Sequence, residues 1–449
     1  MVTDCFGLEL PSANPLAVAA FDRAQLAFLK YRDGTMGVLD QARRAQPDFV
    51  AAHAFSGFLR ILQARANMLQ LAKQDLSEAQ QALERLPSTQ VERSLVAGLA
   101  SASAGDWAAA AGLLEGALDP GRPHPLLVKI VHTLRFMIGD AAGMLALTGQ
   151  FSGQNLDHVA GYGFVLGCHA FALEENGSFE EAETVAQKAL FLEPEDFWGM
   201  HALAHVYEAT RRTGEGLLWV ESGRQQWSGC NNFASHLAWH LALFCIDRGK
   251  YDRAVNVFDT DLRPNLTDDF RDFANAVSLL VRLRQMGVDT GSRLDGLYDE
   301  AKQRVADVTY VFAALHGLPP LLARGDVAAV RDVIVAMQEL ASGNGNQAQV
   351  AREVGVPFAE AMLEIANGPA KVAGLQELAQ HLPLLGGSVT QRDMFLRAMI
   401  LMADDVCDHK TTSALIGIRH RLRHEDAFSE LIEHRICFGG SSADTTYVA

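Results

Sequence analysis

Apolar residues recur along this chain three and four positions apart, and Gly or Pro separates one run from the next. Alternating runs of β-branched residues are scarce. This pattern predicts an almost entirely α-helical protein. Three stretches also resemble one another: "GDWAAAAGLLEGALDP" (Gly105–Pro120), "GSFEEAETVAQKALFLEP" (Gly177–Pro194) and "GKYDRAVNVFDTDLRP" (Gly249–Pro264). Each opens with Gly, a polar or small residue and an aromatic. Each then has Ala three residues later and ends near Pro.

The repeat has a period. Ala182, Gly216 and Ala254 take the same small-residue position, 34 and 38 residues apart, and Ala110 and Met144 fit the same phase upstream. Ala189 and Pro194 also fall where a tetratricopeptide repeat wants them. A period near 34 residues is that of tetratricopeptide-like helix pairs. Such pairs stack into a right-handed superhelix whose first helices line the concave side. Small residues suit the contact because they let helix axes approach. The expected fold is therefore all-α, a superhelical solenoid over residues 1–449. Its clearest repeats lie in 100–280. In 281–449 the helices diverge and help close the groove, and Ala341–Gln349 reads as a loop.

That phase places two unusual segments. "HALAHVYEA" carries His201, His205 and Glu208, and "HLAWH" carries His236, Trp239 and His240. With Ala204 at the small position of its helix, the groove-facing positions are His201, His205 and Glu208. With Ala242 in the same place one repeat later, they include His236 and Trp239, with His240 at the edge. One repeat earlier they are Phe164, Gly167, Phe171 and Glu174; Glu175 is out of phase. Residues at i and i+4 lie on one helix face, so two such pairs on neighbouring helices can converge on one ion or ligand. The spacing is that of helical zinc proteases, without the Glu that follows their first His. Glu208 would then act as ligand, base or orienting group. The competing interpretation is that these are packing or surface histidines.

Composition narrows the function. The chain has 449 residues, 49% hydrophobic and 20% charged, with a formal net charge of −16. It contains no Lys/Arg-rich run of the kind that nucleic acid or an anionic membrane recruits. The six cysteines include no C-x-x-C pair and suggest a reduced protein without a disulfide frame. The N-terminus does not read as a signal peptide and no apolar stretch reaches spanning length, so a cytoplasmic location is expected. P-loop, HExxH, GxSxG and GxGxxG motifs are absent from the sequence, which argues against several large enzyme classes.

"GDAAGM" (Gly139–Met144), "YGFVLGCHAFALEENGSFEEAE" (Tyr162–Glu183), "HALAHVYE", "WSGCNNFASHLAWHLALF" (Trp227–Phe244) and "GGSVTQRD" (Gly386–Asp393) occur in this order. Together they resemble the tetratricopeptide repeat protein 38 family and its bacterial relatives, over about 133–403. The resemblance implies that the family's His, His, Glu, Trp and His correspond to His201, His205, Glu208, Trp239 and His240, with His236 as the first His of H-x-x-W-H. A further family His corresponds to His316, although the acidic residue that often precedes it is absent here. The resemblance supplies no activity.

Other residues carry two readings each. Cys230 is a groove-mouth thiol or an inert neighbour of Asn231 and Asn232, one of which is expected to cap a helix. Ser388 is an expected N-cap. Arg392 either clamps a carboxylate or phosphate or joins Asp393 in an internal salt bridge, the latter being favoured. Phe171 and Trp239 wall a pocket or pack between repeats.

The expected function is a histidine-lined concave pocket for a small molecule or a divalent metal such as zinc or iron, with metal-assisted hydrolysis or oxidation as its chemistry. His201, His205, His236 and His240 are the candidate metal ligands, and His201, His205, Glu208 and His240 the candidate catalytic groups. Phe171, Glu174, Asn232, Trp239, His316 and Arg392 are the candidate substrate contacts. The alternative is a scaffold holding a peptide in the groove without chemistry. A homodimer is compatible with either.

Overall fold

The structure, a computed structural model, describes residues 2–11, 13–153, 155–368 and 372–438. The expected C-terminal region therefore ends, in its last residues 439–449, outside the described residues. Helix dominates, and the strands among the described residues are the short antiparallel pair Val2–Thr3 and Glu9–Leu10. No helix among the described residues is long and apolar enough to cross a membrane. The chain divides into two compact units. Unit 1 comprises Met1–Val206 and Gln226–Asn231, and unit 2 comprises Tyr207–Gln225 and Asn232–Ala449.

Unit 1 holds α1 (Pro15–Leu29), α2 (Thr35–Ala45), α3 (Val50–Ile61), α4 (Ala66–Arg85), α5 (Gln90–Ser103), α6 (Trp107–Glu115), α7 (Pro125–Met137), α8 (Ala141–Gly149), α9 (Tyr162–Glu175), α10 (Phe179–Leu192) and most of α11 (Phe197–Ala209). Consecutive helices pack as pairs, α1 on α2 through α9 on α10, and the first helices α3, α5 and α7, α9 also touch pairwise. Three of the turns inside pairs are built the same way. At the end of α7, Gly139 (φ 73°) donates its N–H to Phe136 O, and Asp140 N–H reaches back to Arg135 O. This is a left-handed C-terminal cap, which glycine adopts without a Cβ penalty. Asp140 then caps α8 by accepting from Gly143 N–H at 2.8 Å. The same backbone bonds recur at Gly105–Asp106 and Gly177–Ser178, and Asp106 caps its helix as Asp140 does, whereas Ser178 makes no side-chain cap bond. The Gly-polar-aromatic signature in the sequence is therefore the covalent record of this turn.

Unit 2 begins inside α11 and continues with α12 (Thr213–Ser222), α13 (Phe233–Asp247), α14 (Phe270–Gln285), α15 (Val327–Ala341), α16 (Val356–Asn367), α17 (Val389–Asp405), α18 (His409–His420) and α19 (Ala427–Phe438), with shorter helical turns between. α13 packs on α12 and α14, α17 packs on α18, and α14 contacts α17. The predicted small positions are close-contact points. Ala182 and Ala254 are fully buried. A Cβ built on Gly216 would stand 2.3 Å from the Phe244 ring. The expected loop at Ala341–Gln349 is shorter than predicted, because helix resumes at Asn346. Ser388 caps α17 as expected, in a capping box with Gln391: Gln391 N–H donates to Ser388 Oγ at 3.1 Å, and Gln391 Oε1 accepts from Ser388 N–H at 3.0 Å.

Candidate functional site

α11 carries the first histidine pair. Asp196 starts the helix by accepting the backbone N–H groups of Trp198 and Gly199. Helical spacing then stacks Trp198, His201 and His205 on one face. In unit 1, His201 and His205 are 1% and 0% exposed. Their Nε2 atoms stand 2.9 Å apart, with one ring donating to the other. Two nitrogens each about 2.0–2.1 Å from a single ion stand about 2.9–3.4 Å apart for right-angled to tetrahedral geometry. The other face of His205 meets a carboxylate, with Nδ1 3.5 Å from Glu174 Oε2. Glu174, Glu175 and His205 each offer a donor atom, and these three atoms lie within 4.8 Å of one another. Glu175 thus joins the site although the repeat phase had set it aside. It ends α9, where a side chain can turn back toward the helix face beside it.

Aromatic rings enclose this pair. Phe171 on α9 stacks on His201 at 5.5 Å between centroids and meets His205 edge-on at 5.2 Å. Trp198 lies 4.8 Å from His201 and 4.7 Å from Phe171. His132 on α7 presents its edge to both Phe171 and Trp198. The Lys129 ammonium sits 3.6 Å over the Trp198 ring. Burial lowers Lys129 to about 8 and raises Asp196 to about 7 and the Cys168 thiol to about 12. Trp198, His132 and Lys129 were not singled out from the sequence. Trp198 carries a usable signal, one turn before His201 on the same stripe. His132 and Lys129 sit in an apolar helix and look like ordinary core and surface positions.

The second pair belongs to unit 2. His240 on α13 is fully buried, and its Nδ1 lies 3.5 Å from Glu208 Oε2. His236, half-buried, faces Asn275 of α14, with Nδ1 3.1 Å from the amide oxygen Oδ1. Nδ1 therefore carries the proton, and Nε2 keeps the lone pair a metal needs. Trp239 is buried, stacks on His236 at 5.3 Å and meets His240 edge-on at 4.8 Å. Glu208 is held from its other oxygen, where Arg423 Nη1 donates to Oε1 at 3.0 Å. Asn275 and Arg423 were also missed, since nothing local in the sequence links them to a histidine. The histidines of each pair are thus mostly buried imidazoles with carboxylate or amide neighbours, and in unit 1 His205, Glu174 and Glu175 are a group that could hold a metal ion.

The expectation for these residues was the concave face of a groove that later helices help close. His201, His205 and His240 are buried, with Phe171 and Trp198 packed against His201 and Trp239 against His240. The remaining candidates are placed apart by their contacts. His316 is buried in unit 2 between Phe312 and Phe395, and its Nδ1–H donates to Phe312 O at 2.8 Å. Burial lowers it to about 4, and no metal-donor group among the described residues includes it. Asn232 precedes α13 but has helical dihedrals, φ −53° and ψ −11°, and makes no side-chain cap bond, so the expected Asn cap is absent at this position. A capping side chain needs the extended backbone that Asn232 lacks. Burial pushes the Cys230 thiol up to about 12, leaving it a poor nucleophile. Arg392 donates to the Gly386 and Gly387 carbonyls. Asp393 forms buried salt bridges with two arginines distant in sequence, Arg282 at 3.0 Å and Arg419 at 2.6 Å.

No known protein-family model matches the chain.

Proposed function

We propose that the histidine pairs, each beside its own carboxylate, bind a divalent metal, with zinc or iron as the ion, in a solenoid of tetratricopeptide-like helix pairs related to the tetratricopeptide repeat protein 38 family. The observation that carries this is the pairing of buried imidazoles with carboxylates. His205 has Glu174 at 3.5 Å and His240 has Glu208 at 3.5 Å. Buried neutral imidazoles flanked by carboxylates are what a metal site requires, because the carboxylate orients the ring and raises its basicity. The 2.9 Å Nε2···Nε2 separation of His201 and His205 suits two ligands of one ion.

In this proposal His201, His205, His236 and His240 are the donors. Glu174 and Glu208 orient them or accept a proton, and Phe171, Trp198 and Trp239 exclude water. A bound ion would supply Lewis acidity or an activated water for hydrolytic or oxidative chemistry. The burial of the histidines favours an ion or small ligand over a peptide held in an open groove, since a peptide must reach the side chains it reads.

Elemental analysis of the purified, untagged protein beside His205→Ala tests this. About one zinc or iron per chain, lost in the variant with helical circular dichroism intact, is the expected result. Metal-free wild type after growth with both metals supplied would refute it.

A further inference from the structure

Unit 2 contains a cavity of about 260 Å³ beside α17 and the end of α18. Its wall is apolar over Leu396, Ile418 and Leu422, and Leu422 is left 44% exposed. Its charged lining is one-sided: Arg392, Arg419, Arg421 and Arg423 against a single carboxylate, Asp393. Asp393 is already committed, because it accepts from Arg282 at 3.0 Å and from Arg419 at 2.6 and 3.0 Å. Arg419 is likewise spent on Asp393, Asp426 and Ser429.

The terminal nitrogens of Arg423 are already paired, with Glu208 at 3.0 Å, Asp426 at 3.3 Å and Asp247 at 3.6 Å, so its Nε is the donor left to a ligand. Arg423 is 6% exposed, and its Nε has no hydrogen-bond acceptor among the described residues. A buried donor left in this state is costly unless a ligand or water takes it. Arg421 bonds the Gly417 carbonyl of its own helix at 3.0 Å, and no carboxylate pairs with it among the described residues. Arg392 is held by the Gly386 and Gly387 carbonyls at the cavity edge. The "GGSVTQRD" stretch thereby acquires a physical reason. Its glycine carbonyls fix one cation at the cavity, and its Asp neutralises the cations behind the wall.

We infer that this cavity binds a small organic anion, with a carboxylate head on Arg421 and the Arg423 Nε and a hydrocarbon body along Leu396, Ile418 and Leu422. Guanidinium forks match a carboxylate's two oxygens. By comparison with a cavity of about 150 Å³ that accepts benzene, the space holds roughly ten non-hydrogen atoms. That is the size of a medium-chain fatty acid.

Isothermal titration of the full chain, in EDTA and low salt, with octanoate, octanamide and inorganic phosphate tests this without reference to the metal. Octanoate is expected to bind about tenfold or more tighter than octanamide, which has the same shape without the charge, and than phosphate, which lacks the chain. Arg421→Gln is exposed and should leave the melting temperature in place while weakening octanoate about tenfold. Equal binding of octanamide, equal binding of phosphate, an unchanged affinity in Arg421→Gln, or no octanoate binding at millimolar concentration would each overturn the assignment.

Discussion

Arg423 and Glu208 are 215 positions apart in sequence, yet Arg423 Nη1 donates to Glu208 Oε1 at 3.0 Å in the interior of unit 2. The other Glu208 oxygen lies 3.5 Å from His240 Nδ1. One arginine from the segment after α18 thus sets the position of the carboxylate beside a candidate ligand. Arg423 also stands 3.3 Å from Asp426 and 3.6 Å from Asp247. Burial raises Asp247 to about 7, with the Arg423 charge opposing that rise.

Removing Arg423 should therefore expose the cost of burying its partners. Arg423→Met is expected to lower unfolding free energy by about 3–5 kcal/mol, since Glu208, Asp426 and Asp247 lose their shared counter-charge. Urea unfolding at pH 7 measures it. A loss under about 1 kcal/mol would mean that solvent already screens this network.

The carboxylates beside the histidines should tune metal affinity rather than create it. Glu174→Gln and Glu208→Gln are each expected to weaken zinc binding about 10–100-fold, measured by competition with a chelator. His201→Ala or His240→Ala should abolish it. If the Gln variants bind zinc as wild type does, the 3.5 Å contacts are packing neighbours only.

His316 links stability to pH. Burial lowers its pKa to about 4, against about 6.5 in an unfolded chain. Between those values the unfolded state binds the extra proton. Stability is thus fully present above about 6.5 and is lost as pH falls toward 4, by up to roughly 3 kcal/mol. His316→Gln does not titrate, so its unfolding free energy should fall less than wild type between pH 7 and pH 4.5. Parallel pH profiles for the two proteins would contradict this.

Arg211 occupies the helix-ending position that Gly139 and Gly177 fill elsewhere. Its φ is 60°, its N–H donates to Glu208 O, and Arg212 N–H reaches Tyr207 O. A Cβ there costs about 1 kcal/mol. Arg211→Gly should be about 1 kcal/mol more stable than Arg211→Ala, since both lose the exposed ion pair with Glu430 and only Gly relieves the backbone. Equal melting temperatures for the two variants would show that the left-handed conformation carries no strain here.

Local rules in the sequence determined a great deal of this protein. Helical periodicity specified the all-α class, because a helix must bury one stripe whatever it packs against. The Gly-polar-aromatic signature specified the turns, because few residues other than Gly enter the left-handed cap cheaply. Ser388 and Gln391 specified the start of α17. Spacing put His201 with His205, and His236 with His240, on common helix faces. Tertiary structure decided everything that joins distant segments. It chose Asn275 as the partner of His236, Arg423 as the partner of Glu208, Phe171 and Trp198 as the rings packed on His201, and Trp239 as the ring packed on His240. It also gathered four arginines around one cavity. Such contacts depend on which helices meet, which is settled by the summed packing of many side chains. Sequence spacing cannot carry that information for any single pair.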